Sequence, residues 1–510
     1  MPYHPIQAAC NHTELHFEPS PHIIQAGYKP RTAQTLKRAS ALPSAAKREP
    51  GIISCQRNNN NGIENNSSAS FPAPLVLPND ELACDPKCPG QTVSSWVKLD
   101  ERNPVTKERE VLYVAAPPDI DEEVAFLRKD IEPVACNNSN NLGRDGQMKK
   151  TAISTSRIKN VETSLYPTRP SVQDIVEYLS AFYKGIPVKL LPKLRFTPWD
   201  EENRRQKQNY QHVALASDTE AVRISRRERP GVFSNQLDLN DLLDAATGFL
   251  PSDAYALLLI VDHDIFEDDD DDFACGRAYG GSRVAVVSTA RYNPVLDADD
   301  KHQVSRDHPW PVSHCKEYIV DTCSTFSITT DQRSSKRPKL ERETVFKHKQ
   351  QKHEDSGSLL DSPMYKAISA YTDLPRLPST TMYIPGMKSG GENIDRSTTD
   401  SALSGLWLGR VCRTASHELG HCFGIDHCVY YSCAMQGTAS LSEDERQPPY
   451  LCPVDLMKVL LATGQDIVGY YKGLLQVCTK HSDVHLFAAY AGWLRGRLAE
   501  LTDEYIENSN

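Results

Sequence analysis

Ser416-His417-Glu418-Leu419-Gly420-His421-Cys422-Phe423-Gly424-Ile425-Asp426-His427 opens a stretch, running to Asp455, around which the rest of the chain is organised. On a helix, residues four apart share a face, so His417 and His421 can turn two imidazole nitrogens toward one ion about 2 Å away. Glu418 then flanks that ion. A helix that must stop and reverse commonly ends on a left-handed glycine, the place Gly424 occupies, and His427 can fold back as a third donor. Three neutral imidazoles leave a zinc ion with net positive charge and an open position, where a water becomes acidic enough to ionise near pH 7, at roughly that value. Glu418 is placed to take its proton. Histidines merely packed in a helix are the bland alternative, and the added glycine and third histidine make chance agreement rare.

The consecutive pattern HExxHxxGxxH-C-x4-C-x-M, followed by Cys-Pro, is carried by His417, Glu418, His421, Gly424, His427, Cys428, Cys433, Met435 and Cys452-Pro453. It resembles the archaemetzincins, a branch of the metzincin zinc metallopeptidases, though over a minor part of the chain. The resemblance implies that His417, His421 and His427 hold a catalytic zinc, that Glu418 is the general base, and that Met435 is the methionine of a Met-turn beneath the metal. It also implies a second, structural zinc held by four cysteines. Cys428, Cys433 and Cys452 are present, but Asp455 stands where the fourth cysteine is expected. A carboxylate can ligate zinc, so a Cys3Asp site is chemically acceptable. Asp455 has an alternative use, accepting from free N–H groups at the start of a helix after Pro453. Cys422 is a poor substitute because it lies within the histidine helix.

The chain has 510 residues, 34 prolines and a net charge of −10, which gives no electrostatic case for binding nucleic acid. Its first residues lack a basic start followed by an apolar core, and no apolar run reaches the roughly 20 residues that span a bilayer. The expectation is therefore an intracellular protein, cytoplasmic with a nuclear option, without membrane contact. Its 14 cysteines then read as metal ligands or free thiols rather than disulfides. Cys84 and Cys88, among polar neighbours, read as unpaired thiols, and Cys10, Cys55 and Cys136 match no inhibitory pattern.

Residues 1–165, with the asparagine run Asn58–Asn61, read as a largely disordered arm carrying two β-like stretches, Thr92–Leu99 and Val111–Ala115. A catalytic domain is expected over 166–510. It opens with a helix capped by Ser171, whose apolar positions recur at helical spacing, followed by a strand over Ile186–Leu191. A polar surface excursion is expected over 200–212 and a second helix over Leu239–Ala246, capped by Asp238. Ala254–Val261 suits a strand buried on both faces, and the acidic run Asp262–Asp272 suits a solvated loop, since no EF-hand spacing supports calcium.

Arg283–Thr289 reads as another strand, and with Ala290-Arg291-Tyr292 it is similar to the archaemetzincin pattern upstream of the zinc helix. The resemblance implies that residues 281–289 form an edge strand bordering the substrate cleft. Residues 297–362 read as a polar insertion whose Lys336-Arg337-Pro338-Lys339 is either a nuclear address or an ordinary solvated run. Met364–Gly391 is expected to dock back on the domain. Asp400 is expected to cap a long helix carrying the histidines, Leu456–Leu461 to continue a helix, and Asp483–Glu507 to pack a helical apolar stripe on the core.

These elements suit an α/β (α+β) metzincin-like fold: a mixed twisted sheet, a long active-site helix, and a small C-terminal subdomain with the Met-turn. The expected activity is hydrolysis of peptide bonds in peptides or small proteins by a monomeric zinc enzyme. Competing classes are a non-catalytic, zinc-stabilised interaction protein and a metal-dependent hydrolase of another bond.

Overall fold

Eight consecutive apolar residues demand burial on both faces, and the strand Ala254–Val261 is buried along its whole length with a parallel neighbour on either side. The computed structural model describes residues 14–42, 67–100, 102–134, 167–199, 211–298, 308–331, 360–377 and 396–507. Ala254–Val261 is the centre of a five-stranded sheet, ordered Gly276–Tyr279, Val284–Ser288, Ala254–Val261, Val111–Ala115, Val188–Leu190. Only Gly276–Tyr279 runs antiparallel to its neighbour. Side chains alternate across the sheet, so Leu258 and Ile260 enter one core while Leu257 and Leu259 enter another. The second core is shared with a six-stranded sheet running from Asp119–Ile120 to Ile265–Phe266.

The first core lies under the helix Arg396–Cys422, which packs on Gly276–Tyr279 and Val284–Ser288. Behind it stand Val172–Phe182, Pro453–Thr463, Ile467–Lys480 and His485–Glu507. Local signals set several of these ends. Ser171 accepts from the Asp174 N–H, Asp238 caps Leu239–Gly248, and Gly464 ends Pro453–Thr463 in the left-handed region. The expected C-terminal stripe is core, with Tyr490, Trp493 and Leu494 fully buried. Among the described residues, no helix is long and apolar enough to cross a membrane.

Five expectations need correction. The boundary at 165 does not follow the packing: Val111–Ala115 is an interior strand, and Phe71, Val76, Val93 and Trp96 are buried in the first core. Thr92–Leu99 is no strand but the helix Val93–Val97, capped by Thr92, with Val93 and Trp96 one turn apart on its buried side. The edge of the five-stranded sheet is Gly276–Tyr279 rather than residues 281–289, because Val284–Ser288 is covered on both sides. Asp400 lies inside its helix, which begins at Arg396. The insertion is not polar throughout, since Trp310, Ile319 and Cys323 are buried and Lys316–Asp331 is helical. Lys336–Lys339, the thiols of Cys10, Cys55 and Cys136, and residues 200–210 lie outside the described residues, as does 378–391 of the docking segment.

Candidate metal centre

The sequence places His417, Glu418 and His421 in the last turns of Arg396–Cys422, and Gly424 ends that helix at φ +71°. The reversal returns His427 to the same face. One nitrogen from each of His417, His421 and His427 lies within 4.8 Å of the others. Each ring is oriented through Nδ1: His417 donates to Ala434 O at 2.7 Å, His421 to Ile425 O at 2.7 Å, and His427 to Glu81 Oε1 at 2.8 Å. Those donations leave the three Nε2 lone pairs free to converge, and the Nε2 atoms of His417 and His421 stand 3.1 Å apart. Two imidazole acceptors held face to face repel unless a cation sits between them, so the donor set fits a zinc ion. Burial and the neighbouring imidazoles hold His417 well below its ordinary range, and burial takes His421 down to about 4. Neutral rings are what a metal needs, and these two are held so; at His427 burial acts the same way but is outweighed by the Glu81 hydrogen bond and nearby carboxylates, which raise it above its ordinary range.

Glu418 is buried beside the triad, and burial pushes its carboxyl up to about 8. It forms the floor of a cleft of about 560 Å³ together with His417 and His427. Cys275 and Gly276 of the edge segment line one side of the cleft, and Thr438–Leu441 and Asp444 line the other. A methyl group added to Gly276 would lie 3.1 Å from Glu418 Cγ, so the edge segment passes directly over the acid. Met435 lies under the helix, its sulfur against Gly420, where any side chain would collide with it. Its carbonyl accepts from Cys428 N at 2.7 Å, closing the loop between the two donor groups.

The second donor group is equally well gathered. Cys428, Cys433, Cys452 and Asp455 offer atoms within 4.8 Å of one another, all buried. Asp455 Oδ2 accepts from Cys433 Sγ at 3.4 Å and Cys452 Sγ at 3.3 Å, while Oδ1 pairs with Lys458 Nζ at 2.8 Å. The carboxylate therefore belongs to the thiol cluster. Cys422 stays apart, its thiol pushed far up by burial in the core. Cys84 is exposed and Cys88 partly so, and neither joins a donor group.

Sequence reasoning missed two parts of the surroundings. Glu81 reaches His427 from 346 positions away in a segment taken for an arm. Arg410 and Arg413, on the histidine helix, are buried in ion pairs with Glu445 at 2.8 Å and Asp444 at 2.7 Å. A charged run such as Ser442–Arg446 ordinarily reads as a solvated face; its clue was the pair of arginines three apart within the mostly apolar stretch Leu403–Ala415.

Three imidazoles from a helix and its glycine turn, flanked by a buried glutamate under a sheet edge, form a donor group that could hold a metal ion. Residues 397–460 match the model of Peptidase family M54. Archaemetzincin-2 of Homo sapiens is 43% identical over 74 residues, 14% of this chain and 21% of that protein. Archaemetzincin-1 of Homo sapiens is 37% identical over 72 residues, 14% of each chain. The crystal structure of archaemetzincin from Methanopyrus kandleri is 15% identical, covering 69% of this chain and 94% of that one, at a TM-score of 0.27. The zinc-binding segment of this chain is thus similar to that of archaemetzincins, and the match spans about a fifth of the length of the Archaemetzincin-2 relatives.

Proposed function

We propose that the chain is a zinc metallopeptidase, with His417, His421 and His427 holding the catalytic ion and Glu418 as general base. The observation that carries this reading is Glu418 itself, buried at the floor of an open cleft beside three converging imidazoles. A purely structural zinc site has no use for such an acid. When bound, zinc would supply positive charge to polarise a peptide carbonyl and acidify a water. Glu418 takes the proton of the attacking water and delivers it to the departing amine. Cys428, Cys433, Cys452 and Asp455 hold a second, structural zinc, and Met435 forms the Met-turn that packs beneath the histidine helix.

The substrate is a peptide or a segment of a small protein, lying along the sheet edge as an added strand. Ser288 N donates to Cys275 O at 2.8 Å, so the antiparallel alternation turns Arg277 inward with Cys275. The backbone groups of Gly276 and Ala278 then point outward along the sheet edge, Gly276 at the cleft and Ala278 beyond it. Ala278→Pro removes one outward N–H without touching the internal ladder. It is expected to raise KM about tenfold, the value of one hydrogen bond of about 1.4 kcal/mol, while the melting temperature stays near wild type.

The test of the activity is profiling of a peptide library with purified full-length chain, before and after chelation and zinc replacement. Cleavage abolished by the chelator and restored by zinc is the expected result. Intact peptides from zinc-replete protein would instead leave a zinc-stabilised binding protein.

A further inference from the structure

The three imidazoles are not oriented in the same way. His417 and His421 donate to backbone carbonyls of Ala434 and Ile425, both within the archaemetzincin-like segment itself. The side chain nearest His417 Nδ1, Gln447 Nε2 at 3.4 Å, belongs to that segment too, whereas His427 is oriented by Glu81, a side chain from the N-terminal part of the chain. The short helix Glu81–Cys84 is fixed where it stands. Asp80 forms a buried ion pair with Arg446, and the Glu81 N–H donates to Glu443 Oε2 at 2.9 Å. Glu443 Oε2 also accepts from Ala439 N at 2.7 Å, joining the helix to the cleft wall. Gly437 leaves room for the Glu81 carboxylate, which would collide with any side chain there.

The same segment holds the turn that carries His427 at two further points. Trp96 Nε1, on a buried ring, donates to Phe423 O at 2.8 Å. Gln91 Nε2 donates to Gly424 O at 2.9 Å and Asp426 Oδ2 at 3.0 Å. Gln91 Oε1 accepts from Lys458 Nζ at 2.8 Å, and Lys458 is the partner of Asp455 in the second donor group. Residues 80–96 therefore hold Phe423, Gly424, Asp426 and His427 of the glycine turn and, through Lys458, connect to the second donor group.

We infer that residues 80–96 form a clasp that sets the third imidazole, with Glu81 as the positioning residue that fixes the tautomer and direction of His427. This rests on the metallopeptidase reading above. Carboxylates behind metal-bound histidines commonly contribute 10- to 100-fold to metal affinity, about 10- to 100-fold here as well. The trihistidine centre is then complete only while the N-terminal segment is docked, and zinc retention becomes a property of that docking.

The experiment compares full-length wild type, Glu81→Ala, Glu81→Gln and His427→Ala. Zinc affinity is measured by competition with a chromophoric chelator. Cobalt substitution separates the two centres, because thiolate charge-transfer bands mark the cysteine group and weaker ligand-field bands mark the imidazole group. Glu81→Ala is expected to weaken the imidazole site about 10- to 100-fold and leave the thiolate bands intact. Glu81→Gln, which keeps an acceptor for Nδ1–H, is expected to recover part of the loss. A fall in the melting temperature of metal-free Glu81→Ala and Glu81→Gln with unchanged metal affinity would reduce Glu81 to a structural contact and overturn the inference. So would wild-type affinity in Glu81→Ala alongside loss of the site in His427→Ala, which leaves the metallopeptidase reading standing. An imidazole-site signal unaffected by His427→Ala would remove that reading and the clasp with it.

Discussion

Glu418→Gln is expected to retain zinc at the imidazole site and to lose about 10²- to 10⁴-fold in kcat, the usual share of a general base. The amide fills the same volume and keeps a carbonyl oxygen toward the cleft, yet it has no basic oxygen to take a proton from water. Geometry makes this a clean substitution. Glu418 is only 8% exposed and sits on the rigid helix Arg396–Cys422, so neither its neighbours nor the ligands His417 and His421, within one turn of it, need to move. Burial pushes the carboxyl up to about 8, so its ionised form is penalised in the metal-free protein. A neutral amide avoids that penalty, and metal-free Glu418→Gln is expected to melt at or above the wild-type temperature. Steady-state turnover, metal content by elemental analysis and a thermal melt on the same preparation check all three statements. Undiminished kcat in a fully loaded variant would dismiss Glu418 as the base.

The histidine helix and its glycine stop were legible because their information is local: four-residue spacing, one left-handed position and a third histidine lie within eleven consecutive residues. The interior strand Ala254–Val261 was legible for a similar reason, since an unbroken apolar run has few places to go. What failed was any inference that averaged over long segments. The polar tracts near Asn58 hid Phe71 and Trp96, although both are buried, while Val111–Ala115, read as β-like within that arm, is a strand of the five-stranded sheet. Thr92–Leu99 failed because a short mixed run suits either period, and tertiary burial of Val93 and Trp96 favours the helix. The strand over 284–288 was found, but sheet order decides which strand is the edge, and order is set by pairing partners far apart in the chain. Glu81 illustrates the limit most plainly: nothing near it in sequence points to a histidine 346 positions away. Asp455 was visible as a departure from four cysteines, but only the structure shows Lys458 waiting beside it.

That lysine gives Asp455 two jobs, which makes Asp455→Ala the second large effect expected. Lys458 is 1% exposed, and its ammonium is held by Asp455 Oδ1 and Gln91 Oε1, each at 2.8 Å. Removing the carboxylate leaves a buried cation with one amide oxygen for company, a change that ordinarily costs about 3–5 kcal/mol. The same substitution takes one of the four donors from Cys428, Cys433, Cys452 and Asp455, so the second ion loses affinity too. Lys458→Met separates the two contributions. In the double variant no orphaned charge remains, and denaturant unfolding of the metal-free chain is expected to recover most of the lost stability, giving a coupling energy of about 2–3 kcal/mol. Metal affinity at the cysteine site should stay low in both variants, since methionine restores no donor. Asp455→Cys should instead restore a four-thiolate site and sharpen the cobalt charge-transfer bands while leaving Lys458 without its carboxylate partner. Full retention of the second ion by Asp455→Ala, with no loss of stability, would strip Asp455 of both roles at once, because each role predicts a separate deficit and neither can mask the other.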